Sequence, residues 1–173
     1  MELADLVGEA ETAAWCTGLL DGSLKFSDAG RPPIKWLGGR HASSLQRRLG
    51  DVWGAQDYWP RVWAARGLLY VWRAEAERSV VKGLADPEWR VREMSAKVVR
   101  RRQVADAEPA LAGLAGDPAP RVRAAAIRAL ARVGEVEHVA LVAGCFEDPD
   151  PGVRRAARVA LLELERRLDI WSR

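Results

Sequence analysis

Asp86-Pro87-Glu88-Trp89-Arg90-Val91-Arg92, Asp117-Pro118-Ala119-Pro120-Arg121-Val122-Arg123 and Asp148-Pro149-Asp150-Pro151-Gly152-Val153-Arg154 are three copies of one motif, set 31 residues apart. A fixed period of this length marks stacked structural units, each burying its apolar face against its neighbours. In the middle copy, Asp117 or Ala119 takes the helix N-cap and Pro118 or Pro120 the first turn. There a missing N–H costs nothing and φ is already set. Val122, Ala125, Ala126, Ala129, Leu130 and Val133 then recur with the spacing of one helical stripe. Gly134 closes that helix, and a shorter second helix is predicted over residues 135–146, with Val139, Val142 and Phe146 inward. Each unit therefore reads as two antiparallel helices, with alanines that let neighbouring helices approach closely.

The same register gives Val91, Met94, Ser95 and Val98 in the preceding unit, and Val153, Ala156, Ala157, Ala160, Leu161 and Leu164 in the last. Upstream, Asp57-Tyr58-Trp59-Pro60-Arg61-Val62-Trp63-Ala64-Ala65-Arg66 is a degenerate copy two residues short of the period. It predicts a first helix running to about residue 72 and a second over 74–84. Residues 1–50 do not repeat. They read as a helix over 2–20, a long loop over 21–40 rich in Gly and Pro, and a short helix over 42–49. The expected organisation is one domain, 1–173. In it a non-repeat cap (1–50) seals the first of three and a half to four helix pairs (51–173). So long a loop in a compact domain is also a place for function.

Composition excludes several classes. Hydrophobic residues make up 49% and charged residues 29% of the chain, an ordinary globular balance. Net charge is only +3, and it is not concentrated: residues 1–85 carry 11 basic and 10 acidic side chains, residues 86–173 carry 16 and 14. Any nucleic-acid surface must come from local clustering. Two cysteines far apart, Cys16 and Cys145, do not make a disulfide framework. No basic and apolar leader opens the chain, and no apolar run approaches the roughly 18 residues of a membrane span. Arg far in excess of Lys points to a GC-rich, bacterial genome, and a reducing cytoplasm fits the cysteine usage.

Asp-Pro-x-x-x-Val-Arg opening an Ala-rich helix resembles the short HEAT-like repeat, the subclass named for phycobilisome lyases. The resemblance covers about residues 57–168 and is strongest over 86–168. It implies an all-α fold, an α–α superhelix whose second helices line a concave surface. It further implies a structural ladder in which the turn residues Asp86, Asp117 and Asp148 bond the helix residues Arg92, Arg123 and Arg154 across adjacent units. Members of the family bind proteins, act as lyases on bilins or excise alkylated bases, so the repeat alone does not choose a function.

Four groups of residues are candidates beyond the ladder. Six of the eight Trp lie in residues 1–85, and Trp53, Tyr58, Trp59, Trp63 and Trp72 form the densest run. They read as the core of the cap or as a partner-binding site. Lys97, Arg100, Arg101, Arg128 and Arg132 come together through the period as a basic patch, a solvated face or a phosphate-binding one. Arg102 breaks the apolar stripe beside them, while the second helices carry Glu75, Glu77, Glu108, Glu135 and Glu137. Asp51 or Asp57 near Trp53 and Trp59 holds the residue types of a base-excising site but matches no specific motif. Leu161, Leu162, Leu164, Leu168, Ile170 and Trp171 give the last helix apolar groups on more than one face, to fold back or to form a homodimer contact. His41 and His138 stand apart, so no metal or cofactor site is expected. The expectation is a non-enzymatic, cytoplasmic scaffold, monomeric or dimeric, that binds a protein or peptide. A nucleic-acid-associated protein is the main alternative, and a small-molecule or lyase-type role in a Trp-lined pocket is the second.

Overall fold

The computed structural model describes residues 7–170, and among them there are nine α-helices and no strand. The fold class is all-α, and consecutive helices pack as in an α-solenoid. The chain divides into two compact units, 1–83 and 84–173. The expected helical positions Glu2–Leu6 and the C-terminal Trp171 lie outside the described residues.

The second unit contains the three aligned motifs. Its first helices are α5 (Trp89–Arg102), α7 (Pro120–Val133) and α9 (Pro151–Arg167); its second helices are α6 (Glu108–Leu114) and α8 (His138–Gly144). α7 packs between α5 and α9. The stripe that sets this packing is buried at every copy: Val91, Val122 and Val153 are fully buried, as are Ser95, Ala126 and Ala157 one turn on. α8 starts later than the sequence predicts, at His138, and in the turn before it the His138 imidazole accepts the Glu135 N–H at Nδ1 (3.0 Å). A single 3-10 turn, Cys145–Glu147, completes the expected span.

The three motif turns are tied by a repeated set of bonds. Each Asp caps its own turn, Oδ1 accepting the N–H two residues on: Glu88 to Asp86, Ala119 to Asp117 and Asp150 to Asp148, all at 2.8 Å. Each Arg donates Nη1 to the carbonyls of its own turn. Arg92 reaches Asp86 and Pro87, Arg123 reaches Asp117 and Pro118, and Arg154 reaches Asp148 and Pro149, at 2.7–3.3 Å. The other edge of the fork then crosses to the next unit. Arg92 Nε and Nη2 bind Asp117 at 2.7 and 3.1 Å, and Arg123 binds Asp148 at 2.8 and 2.7 Å. Only a planar fork can serve both edges at once.

The first unit holds α1 (Glu9–Asp21), α2 (Lys35–Leu49), α3 (Trp59–Gly67) and α4 (Glu77–Gly83). α1 packs against both α3 and α4, and α3 also meets α2. Two boundaries differ from the sequence reading. α3 stops at Gly67, well short of residue 72, and residues 68–70 continue as turns closed by bonds from the Leu69 and Tyr70 N–H groups to the Arg66 and Gly67 carbonyls (3.1 and 2.9 Å). α2 begins inside the expected loop and runs through Gly38-Gly39, breaking at Gly39, whose φ of 58° is open to glycine.

Two outcomes follow for the second unit. The Ser95 hydroxyl is buried without a hydrogen-bond partner where the other units have alanine. Ser95→Ala should therefore raise stability by about 1 kcal/mol, seen as a higher melting temperature; no change or a fall would contradict it. Arg123→Ala removes a rung and should cost about 2–3 kcal/mol in denaturant unfolding. Hydrogen bonding from Arg123 outweighs burial and holds the Asp148 carboxyl below its ordinary value of 3.8. A depressed folded-state pKa stabilises above the ordinary carboxylate range, and that stability is lost as pH falls through the depressed value. The gap between wild type and Arg123→Ala should thus narrow below pH 3.8 and stay level above about pH 5.

Candidate partner-binding site

The aromatic run of the first unit divides by burial. Trp53 and Trp63 are 2% and 3% exposed, while Tyr58, Trp59 and Trp72 are half-buried. The rings of Trp53, Trp63, Trp59 and Tyr58 form one chain of contacts. Phe26 lies 4.3 Å from Trp53, Trp53 lies 5.8 Å from Trp63, Trp63 stacks on Trp59 at 5.7 Å, and Tyr58 sits 5.2 Å beyond. His41 presents its edge to Trp59 and Trp63, at 4.4 and 5.6 Å. The indole N–H groups are used internally: Trp53 donates to the Gly50 carbonyl at 2.8 Å and Trp59 to Gln56 Oε1 at 3.0 Å. Such a cluster binds α2 to α3 by area and by ring-edge geometry. Asp57 accepts the Trp53 backbone N–H (3.0 Å) and Asp51 the Gln46 amide (3.4 Å). Both line a cleft of about 400 Å³ with Phe26, Pro60 and Arg61.

The larger concavity of the first unit lies elsewhere. One face of α1 (Ala10, Glu11, Ala14, Trp15, Gly18 and Asp21) lines a cleft of about 1140 Å³. Leu24, Gly30, Arg31 and Pro32 of the loop, Trp36 at the start of α2, and Arg73 and Glu75 complete its lining. Gly18 lets the loop lie against the helix, since a Cβ there would fall 2.5 Å from Leu24 Cδ1. Trp36 is 41% exposed. Trp15 is 2% exposed, and its indole N–H is buried with no hydrogen-bond partner, an arrangement that costs free energy until an acceptor arrives.

The charges around this cleft are differently committed. Burial alone would raise the Asp21 carboxyl, but hydrogen bonds from Ser23 and Ser79 and the Lys82 charge outweigh it and hold it low. Ser79 Oγ donates to Asp21 Oδ2 (2.7 Å) and Lys82 Nζ to the Asp21 carbonyl (2.6 Å), which ties the end of α1 to α4. Arg73 and Glu75 form only a loose, exposed pair at 3.7 Å, of the kind worth little energy. Arg31, Glu11 and this pair line the cleft together with the polar residues Thr17, Asp21 and Ser23.

In the second unit, Lys97 and Arg121 converge on the buried carboxylate of Glu93, at 2.8 and 3.3 Å. Arg132 pairs with Glu163 at 3.0 Å. Desolvation, then repulsion from Arg100, lowers the Arg128 pKa, and Glu93 offsets part of this. Arg100 and Arg101 are exposed. Of the five basic-patch residues, two are thus held in ion pairs.

Sequence reasoning missed Trp15 and Trp36 as a pair. Both were visible in the Trp count, and Trp36 stood in the long loop marked as a place for function. What the sequence lacked was the approach of that loop to α1. Among the described residues no group of three His, Cys, Asp or Glu side chains could hold a metal ion, and no described helix is long and apolar enough to cross a membrane.

Residues 77–162 match the family model of HEAT repeats, which supports a HEAT-like repeat protein. HEAT repeats generally serve as protein-interaction scaffolds and are typically non-enzymatic. No curated protein matches the chain.

The cysteines give a direct check on the packing of both units. Burial pushes the Cys16 thiol up to about 12 and also raises half-buried Cys145. Titration of the folded protein with a thiol-specific disulfide reagent at pH 8 should leave Cys16 unreacted and modify Cys145 slowly. Both should react at once in denaturant; rapid labelling of Cys16 in the native protein would refute the packing of α1.

Proposed function

We propose that this chain is a non-enzymatic protein-binding scaffold whose first unit grips an extended peptide segment in the α1 cleft. The observation that carries the reading is the buried Trp15 N–H, unpartnered on the cleft wall beside half-exposed Trp36. A peptide carbonyl is a matching acceptor for it, and the Trp36 face with Pro32 and Leu24 suits an apolar or proline side chain. At about 1140 Å³ the cleft exceeds the usual range for one small ligand, roughly 300–1,000 Å³, and suits several residues of a chain. Arg31 and Arg73 against Glu11 and Glu75 give it charge of both signs. The buried members of the aromatic run, Trp53 and Trp63, serve the first unit as core, while half-buried Tyr58, Trp59 and Trp72 are not among the residues that line the cleft. The nucleic-acid reading has less support, since Lys97 and Arg132 are engaged by Glu93 and Glu163.

Selection from a random peptide library tests this. Enriched peptides should change the Trp emission, bind with little dependence on salt, and lose at least about tenfold in affinity on Trp36→Ala, as an anchor residue does. Enrichment indifferent to Trp36→Ala and Trp15→Phe would overturn the site. Salt-sensitive retention of oligonucleotides that Arg100→Glu with Arg101→Glu abolishes would replace the reading with the nucleic-acid one.

A further inference from the structure

Among the described residues, the last arginine of the ladder stands at an unfilled rung. Arg154 donates Nη1 to the Asp148 and Pro149 carbonyls as Arg92 and Arg123 do to theirs. Its Nε and Nη2, which in both earlier copies clasp the aspartate of the following unit, meet no partner among the described residues. The helix face beside it is open in the same sense. Ala124, Ile127 and Ala131 of α7 are buried, whereas the residues 31 positions on, Arg155, Arg158 and Leu162 of α9, are exposed. Leu162 is 62% exposed and Val159 59%, and the Arg158 guanidinium lies over the Phe146 ring at 5.2 Å.

We propose that this end of the second unit docks an acidic protein segment that sets an aspartate carboxylate on Arg154 and an apolar side chain on Val159 and Leu162. The chain supplies the template for the ligand twice. A turn aspartate received at 2.7–3.1 Å by the Nε and Nη2 edge is what Arg92 and Arg123 already hold. Charge complementarity sets the rest: Arg154, Arg155 and Arg158 crowd three cations onto one end of α9, and the nearby Glu163 is engaged by Arg132. A second copy packed through the same face would oppose these cations to one another, so self-pairing is disfavoured. The apolar pair between the arginines favours a protein over a phosphate backbone, which would leave Val159 and Leu162 without a match. This surface extends the scaffold reading to a second site and stands whether or not the α1 cleft binds peptide.

The probe is a fluorescein-labelled synthetic peptide of residues 146–153, acidic and free of arginine, whose Asp148 turn is the one that Arg123 receives. Anisotropy titration against the full chain should give saturable binding that weakens with salt. Affinity should fall about tenfold or more for the Asp148→Asn peptide and for Arg154→Gln protein, as a charge-assisted pair requires. Because Arg154 also braces its own turn, Leu162→Glu provides an independent variant: it leaves the turn untouched and should weaken binding comparably by repelling the acidic probe. No binding, or binding indifferent to Arg154→Gln and Leu162→Glu, would overturn the proposal. So would duplex DNA that displaces the peptide and itself depends on Arg154.

Discussion

A guanidinium that faces two ways is the interaction on which the second unit depends. One nitrogen of Arg92 or Arg123 fastens the turn behind its own helix, and the opposite edge takes the carboxylate of the next turn. The same carboxylate caps the backbone of its own turn. Each aspartate therefore serves its own unit and its predecessor, and each arginine its own unit and its successor. Side chains 9–12% exposed at the Arg123–Asp148 rung place it where solvent screens weakly while hydrogen bonds offset desolvation. The period of the sequence is thereby turned into a spatial repeat.

The first unit is built on a different principle. α1 runs against α3 and α4, and a chain of aromatic contacts joins α2 to α3 through Trp59, Trp63 and His41. Trp63 occupies the place at which later copies have the ladder arginine. Area replaces charge here, and an aromatic contact tolerates an irregular backbone better than a two-sided fork does. That tolerance accommodates the break at Gly39 and the long loop over Gly18, and with them the cleft that Trp15 and Trp36 line. The two candidate surfaces thus lie where the repeat departs from its pattern: one in the non-repeating first unit, the other at the rung that no aspartate fills among the described residues.

The ladder's pairing came from the family resemblance, while the sequence by itself determined the helical repeat, its period and the buried stripe. Each of these is local or periodic, and spacing along one chain is enough to express it: apolar residues at helical intervals must share a face, and a motif recurring every 31 residues must recur in space. Helix ends were less legible: α3 gives way to turns after Gly67 and α8 begins only at His138, where the apolar spacing alone would carry either helix further. Only the tertiary structure decided which tryptophans are core and which face a cleft, that Glu93 draws in Lys97 and Arg121, and that Arg154 keeps one edge of its fork open. Those properties depend on what lies across from a side chain. An indole or a guanidinium has the same sequence signature whether its neighbour is a packed ring, a carboxylate or solvent, and only the path of the distant chain supplies that neighbour.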